Sequence, residues 1–413
     1  FPLTTAQQRV LGEIGADLAR PHPMHRLLQG DVGSGKTCVA AFAALSAVNS
    51  GHQAAVMAPT EILAEQLFRK FDEWLGPLGV RVVWLAGALK GKAKQQALAE
   101  IADGSAQVVV GTHALFQAGV DFARLALAIV DEQHRFGVEQ RLALRTKGAG
   151  AVVTPHLLMM SATPIPRSLA MSHYADLDVS VIDALPPGRT PIATRVVSNA
   201  RRTEVIERLR DYCAGGAQAY WVCPLVEESE KLALIAAENA HAELGATLPG
   251  LHIGLAHGRM KSAEKATVMA AFKAHELDIL VATTVIEVGV DVPNAGLMVV
   301  EHAERMGLAQ LHQLRGRVGR GARASTCLLL YAEPLSDLAR QRLAILKAHQ
   351  DGFVIAREDL RLRGPGEFMG ARQSGAPMLR FADLELDQDL IELARKLAPR
   401  LRRVLPDAAA RHL

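Results

Sequence analysis

The sequence predicts an α/β fold of two parallel sheets in tandem, followed by a helical tail. Three observations carry that prediction. Short apolar runs alternate with helix-patterned stretches through most of the chain, as βαβ units require. The series is interrupted at Ala184-Leu185-Pro186-Pro187-Gly188-Arg189-Thr190-Pro191, where three prolines and a glycine in eight residues continue neither helix nor central strand. A glycine-rich stretch, Gly30-Asp31-Val32-Gly33-Ser34-Gly35-Lys36-Thr37, fits the phosphate-loop pattern G-x-x-x-x-G-K-[ST] at every specified position. The expected division is residues 1–185, 186–335 and 336–413.

The phosphate loop has the flanks its chemistry needs. It follows the apolar pair Leu27-Leu28, which reads as a strand, and opens into Val39–Leu45, whose Ala and Leu content favours helix. Gly30, Gly33 and Gly35 let the backbone wrap a phosphate closely. Successive N–H groups around Ser34 and the helix N-terminus supply fixed positive dipoles. Lys36 is placed to reach the β/γ-phosphates, and Thr37 to hold Mg²⁺. The stretch is therefore expected to be a nucleotide site.

Further strands are expected at Ala54–Ala58, Val80–Leu85, Val108–Val110, Leu127–Val130 and Leu157–Met160, with helices such as Glu61–Trp74 and Lys92–Ile101 between them. Ligands of such sheets sit beyond the carboxyl ends of the strands. Asp131-Glu132-Gln133-His134 follows the apolar run Leu125–Val130 directly, so both carboxylates emerge at that edge. Asp131 is placed to hold Mg²⁺ through water, and Glu132 to orient or deprotonate an attacking water. Ser161-Ala162-Thr163 also ends an apolar strand. Its hydroxyls read either as a relay to the two acids or as an N-cap ahead of Pro164 and Pro166.

Bulk properties bound the rest. The 413 residues are 49% hydrophobic but only 4% aromatic, so the cores must be made of Ala, Val and Leu. A formal net charge of +3 decides nothing about nucleic acid, since a basic groove can hide in a balanced total. The four cysteines (Cys38, Cys213, Cys223, Cys327) are scattered without a C-x-x-C pair, which fits a reducing compartment. No run approaches the ~18 apolar residues of a membrane span, and no secretory signal is visible. Phe1-Pro2 without a Met reads as a start inside a longer protein.

Beyond the proline-rich junction a second series is expected, with strands at Thr194–Val197, Ala219–Cys223, His252–Leu255, Ile279–Val281, Leu297–Val300 and Thr326–Tyr331. Helices such as Arg202–Tyr212 and Ala263–Phe272 separate them. This half has no phosphate loop of its own. It has instead Gln313-Leu314-Arg315-Gly316-Arg317-Val318-Gly319-Arg320, three arginines on a short helical stretch. Alone, such a cluster reads as a solvated basic face. Opposite a triphosphate, fixed guanidiniums stabilise the charge that grows on the γ-phosphate.

In order and spacing, Gly30–Thr37, Asp131–His134, Ser161–Thr163 and Gln313–Arg320 resemble motifs I, II, III and VI of the superfamily 2 helicases and translocases. Leu3–Gln7 resembles the adenine-reading Q motif, Ala58–Glu61 motif Ia, and Gly111–Leu115 the next strand-contacting motif. Ala256–Met260 and Ala282–Pro293 resemble the motifs ahead of motif VI, and Pro224–Ser229 matches the fourth only loosely. The resemblance implies two RecA-like domains facing each other across ATP and Mg²⁺. It assigns Gln7, Gly289 and Asp291 to the nucleotide and Arg317 and Arg320 to the γ-phosphate. His134, Ser161, Thr163 and Gln313 become coupling residues, and Thr60, Thr112, Arg259 and Thr284 contacts to the nucleic-acid backbone. His257 reads equally as a packed loop histidine.

The tail narrows the resemblance. Ser336–His349 and a second helical piece through Leu362 precede Arg363-Gly364-Pro365-Gly366-Glu367-Phe368-Met369-Gly370-Ala371-Arg372-Gln373-Ser374-Gly375. By composition alone this is a surface loop. It resembles the translocation motif shared by the RecG-type fork-remodelling enzymes and the transcription–repair coupling factor Mfd, which makes Arg363, Arg372 and Gln373 DNA-acting residues. Gln133 and the following Arg135–Arg141 look more like RecG than Mfd. The implied function is ATP-driven translocation on double-stranded or branched DNA, remodelling stalled forks and recombination junctions. The upstream wedge domain of RecG proteins has no counterpart here. The resemblance further implies a monomeric, cytoplasmic, nucleoid-associated protein with a single-stranded DNA-binding protein as partner. An Mfd-like duplex translocase, an RNA helicase and a nucleotide-gated DNA clamp are the alternatives.

Overall fold

A computed structural model describes residues 2–87, 89–117, 119–132, 154–161, 177–184, 191–224, 230–283, 292–319, 321, 324–363 and 388–404. Numbered over those residues, the first sheet is made of β1 (His25–Gly30), β2 (Gln53–Met57), β3 (Val82–Leu85), β4 (Val108–Gly111), β5 (Leu125–Val130), β6 (His156–Ser161) and β7 (Asp178–Ile182). Its order is β3-β4-β2-β5-β6-β1-β7, with every pair parallel. The second sheet contains β8 (Ile192–Ser198), β9 (Gln218–Cys223), β10 (Ile253–Ala256), β11 (Ile279–Thr283), β12 (Ala295–Val300) and β13 (Ser325–Tyr331). Its order is β10-β11-β9-β12-β13-β8, again all parallel. Parallel neighbours cannot be joined by a tight hairpin, so the chain crosses over between them, and most of the described crossovers carry a helix over a face.

The helices are α1 (Thr5–Leu18), α2 (Lys36–Asn49), α3 (Glu61–Leu75), α4 (Gly91–Asp103), α5 (Arg202–Ala214), α6 (Glu230–Thr247), α7 (Ser262–Lys273), α8 (Leu308–Arg315), α9 (Asp337–Ala348), α10 (Gly352–Arg363) and α11 (Gln388–Val404). Sheets covered on both faces need strands that are apolar at consecutive positions. β2 and β9 are buried throughout. Along β1, Leu28 joins one core with Val39, Val56 and Ile129, while Leu27 joins the other with Ala55, Val109 and Met159. The second sheet is layered likewise, with Tyr220 and Phe272 on one face and Trp221 on the other. The four cysteines are unpaired and buried.

The two halves solve one problem the same way. Gln53, first in β2, donates from Nε2 to the carbonyls of Ile101 (2.9 Å) and Ala106 (2.8 Å), and its Oε1 accepts from the Arg124 amide at 2.8 Å. Gln218, first in β9, donates to the carbonyls of Phe272 (2.6 Å) and Leu277 (2.7 Å). In each domain one buried amide satisfies the carbonyls where a helix turns back into the sheet.

The expected strands are present, most with ends shifted by a residue or two. Four elements stand without having been read from the sequence: α1, β7, α6 and α11. β7 (Asp178-Val179-Ser180-Val181-Ile182) is short and mixes polar with apolar residues, yet it forms the edge beside β1. One expectation needs correction. The arginines after Gln313 do not share a helix: α8 ends at Arg315, where Gly316 caps it by donating its N–H to the His312 and Leu314 carbonyls, and Arg317 lies in the turn beyond. Gln53→Leu, which keeps the volume and strands two buried carbonyls, is expected to destabilise the first domain by about 2–4 kcal/mol. Urea unfolding measures it.

Candidate nucleotide site

β1 delivers the chain to the phosphate loop, and the loop's shape depends on missing side chains. A Cβ on Gly30 would collide with Ser34 Oγ. Gly35 has φ 88°, a left-handed conformation, and a Cβ there would run into the Gln7 amide. Both glycines are therefore structural requirements. Gln7, third residue of α1, closes a capping box with Thr4 and donates from Nε2 to the Ser34 carbonyl at 3.0 Å. The amide expected at the nucleotide base thus braces the loop from below. Ser34 Oγ is buried with no partner among the described residues, an orphaned donor inside a cradle of backbone amides. That environment fits a phosphate.

Lys36 Nζ donates to the loop's own carbonyls, at Gly30 (2.6 Å) and Asp31 (3.0 Å). Burial holds its pKa below the ordinary lysine value, opposed by the charges of Glu132, Asp131 and Asp31. Asp131 and Glu132 leave the end of β5 as expected, with the Asp131 amide bonded to the Met57 carbonyl at 2.8 Å. The Glu132 amide donates to Asp131 Oδ1 at 3.1 Å, and Glu132 is in the left-handed region at φ 53°. Desolvation and the neighbouring Glu132 charge push the Asp131 carboxyl up to about 7. Thr37 follows Lys36 in the first turn of α2. A divalent cation between Thr37 and Asp131 would relieve the repulsion between the acids.

The second domain abuts this loop. His312 Nε2 lies 3.2 Å from Asp31 Oδ1 across the two domains. Gly316 abuts the loop so tightly that a Cβ would lie 2.8 Å from Val32 Cβ. Arg317, only 8% exposed, is near enough for its charge to lower the pKa of both Lys36 and Asp131. Arg315 does something else. Its guanidinium donates to the carbonyls of Leu346 (2.9 Å), His349 (2.7 Å) and Gln350 (3.0 Å), tying α8 to the junction of α9 and α10.

The remaining residues divide by position. Ser161 ends β6 and is buried, in register with Gln29 of β1, and Gln313 is buried on α8. Thr60 Oγ1 caps α3 by accepting from the Leu63 amide at 3.4 Å, and Thr112 is buried. Arg259 is exposed just beyond β10, and Arg363 is the last residue of α10. His134, Thr163, Thr284, Gly289, Asp291, Arg320, Arg372 and Gln373 lie outside the described residues. Sequence reasoning missed Asp31, Val32, His312 and Gly316 as a contact. Asp31 and Val32 occupy unspecified positions of the loop pattern, so no signal marked them.

Two outcomes are expected. Gly35→Ala should abolish nucleotide binding, measured with a fluorescent ATP analogue, because the added Cβ has neither the backbone conformation nor the space it needs. Asp131→Asn should raise the melting temperature of the nucleotide-free protein near pH 8. A carboxyl raised from 3.8 to about 7 destabilises the fold only where it is ionised, so the gain should be complete above about pH 7 and vanish near pH 4.

Three family comparisons cover most of the chain. Residues 4–172 match the DEAD/DEAH box helicase family, 204–322 the helicase conserved C-terminal domain, and 349–410 the C-terminal part of domain 3 of the ATP-dependent DNA helicase RecG. The chain is 59% identical over 408 residues to an ATP-dependent DNA helicase RecG of Acidithiobacillus ferridurans, covering 99% of this chain and 59% of that protein. It is 58% identical over 410 residues to that of Escherichia coli strain K12, covering 99% of this chain and 59% of that protein. A solved structure of RecG bound to a three-way DNA junction aligns with a TM-score of 0.77 at 44% identity, covering 95% of this chain and 50% of that one. The chain thus spans under two thirds of the length of these relatives.

Proposed function

We propose, from the premise that this chain belongs to the RecG type of superfamily 2 helicases, that it hydrolyses ATP and converts each cycle into movement along double-stranded or branched DNA. One observation carries the reading: Arg317 and His312 of the second domain meet the phosphate loop of the first. A site assembled from two domains gives hydrolysis a mechanical consequence, because its geometry depends on their relative position.

The residues take these roles. Gly30, Gly33, Ser34 and Gly35 cradle the phosphates, Lys36 leaves the loop carbonyls to pair with the β/γ oxygens, and Gln7 keeps the cradle in shape. Glu132 orients and deprotonates the attacking water at the γ-phosphate. Thr37 and Asp131 would hold Mg²⁺, which neutralises phosphate charge when bound. Arg317 and Arg320 answer the charge that grows on the transferred group, a contribution of about 10³–10⁵ in rate for such arginines. Gly289 and Asp291 belong to the same cleft. His134, Ser161, Thr163 and Gln313 pass the state of the acids between the domains.

On the nucleic-acid side, Thr60, Thr112, Arg259 and Thr284 are proposed to meet the backbone, Thr112 through its main chain. Arg363, Arg372 and Gln373 act at the tail. Backbone contacts carry no sequence information, so binding should be salt-sensitive and sequence-independent. Branched DNA is the proposed substrate, supported by the similar RecG structure bound to a three-way junction. The biological reading is remodelling of stalled forks and recombination junctions by a monomer, with a single-stranded DNA-binding protein as partner.

The test is the ATPase rate with single-stranded, duplex and forked DNA in parallel, with Glu132→Gln as the blank. Stimulation by duplex or forked DNA but not by RNA is expected, and equal stimulation by RNA would overturn the assignment. Lys36→Ala, Arg317→Ala and Arg320→Ala should each reduce stimulated turnover by about 10³ or more while the melting curve is kept. A variant with near-normal turnover removes that residue from the site.

A further inference from the structure

The edge of the second sheet away from Arg259 carries a basic groove that the proposed reaction does not use. β8 pairs with β13 on one side, and among the described residues no strand pairs with its other side. Along this edge lies a cavity of about 310 Å³ walled by α5 and by the end of α9. Its cations are Arg195 of β8, Arg201 at the start of α5, Arg208 of α5 and Lys347 of α9. All four are exposed, and Glu204 is the one carboxylate among the lining residues. Arg201 takes that carboxylate at 2.8 Å. The charge of Arg208 also acts on Glu204, whereas Arg195 and Lys347 have no ion-pair partner among the described residues.

The floor between these charges is apolar. In the β8–β13 register Arg195 stands beside Leu328, and Val197 two positions on lies beside Leu330. Val197 and Leu328 are half-buried against the core that contains Val205. A free strand edge offers unpaired backbone donors and acceptors in a row, and alternating apolar side chains of an added strand would find this floor. The charges select the sign of that strand. A second copy of β8 would bring like charges face to face, whereas an acidic strand would pair with them.

We infer that β8 and its flanking cations form a docking groove for an extended acidic peptide of a partner protein, added to the sheet as a further strand. Two features favour a peptide over nucleic acid. The groove combines a backbone ladder with an apolar floor, and neither reads a phosphate chain. It also lies five strand spacings, about 24 Å, from β10 and the adjoining Arg259, so the two basic features sit on opposite edges of the sheet.

The probe is a fluorescein-labelled octapeptide alternating Glu and Val, titrated with the 413-residue chain and followed by anisotropy. Saturable binding is expected. Arg195→Glu with Arg208→Glu should weaken it at least ~10-fold, and Lys347→Glu alone should weaken it in the same direction. All of these sites are exposed, and a melting curve checks folding. N-methylating alternate peptide amides should abolish binding to the unaltered chain, which reads strand addition without any variant. The inference is overturned if there is no saturation by about 1 mM. It is equally overturned if the N-methylated peptide, or one with four Glu followed by four Val, binds as well as the alternating one. Displacement of the peptide by a short single-stranded oligonucleotide whose own binding falls with the same charge reversals would assign the groove to nucleic acid instead.

Discussion

The steric constraint at Gly316 governs the rest of the structure. With Val32 so near, nothing larger than hydrogen fits between the phosphate loop and the turn that carries Arg317. The domains therefore meet through backbone and small apolar atoms, and the polar groups are left at the margins of that contact. His312 and Asp31 form one margin, and Arg317, with Lys36 and Asp131, the other. Burying ionisable groups around the cradle is costly in itself. Burial is the first cause of both the raised Asp131 and the lowered Lys36 pKa. Asp131 is pushed further by the neighbouring Glu132 charge, a repulsion that a cation would relieve.

Much of the fold was legible because both sheets are covered on both faces. Consecutive burial makes a strand readable as an unbroken apolar run, and the strands from β2 to β6 and β9 to β13 announce themselves so. β7 does not, since only Ser180 and Ile182 of its five residues are buried. α6, rich in Ala, has no marked apolar stripe to signal a helix. The grouping of candidate residues was legible where a motif fixes residue type and order, as at Lys36, Asp131, Glu132 and Arg317, which lie near one another. It was not legible where function rests on which distant groups come together. Nothing local to Arg315 separates it from Arg317, yet one holds carbonyls of the tail and the other faces the loop. Gln7 shows a third case: its position was readable, but its hold on the Ser34 carbonyl belongs to tertiary geometry.

The paired glutamines deepen the likeness between the halves. Gln53 and Gln218 occupy the same place in successive domains and satisfy the same kind of orphaned carbonyls. Yet the domains have diverged in what lies beyond their strand ends. The first carries the glycine cradle and paired acids, and among the described residues the second brings His312 and Arg317 toward them. The two sheets share a strand order except for β7, which has no counterpart in the second, so the difference between the halves lies in their strand ends rather than their frames.

Arg315 has a geometric corollary. Three hydrogen bonds to main-chain carbonyls, 2.7–3.0 Å long, make the tail's paired helices a rigid extension of the arginine-bearing domain. Each of those helices is 12 residues, or about 18 Å at 1.5 Å per residue. Any rotation of that domain therefore carries both helices with it as a single lever.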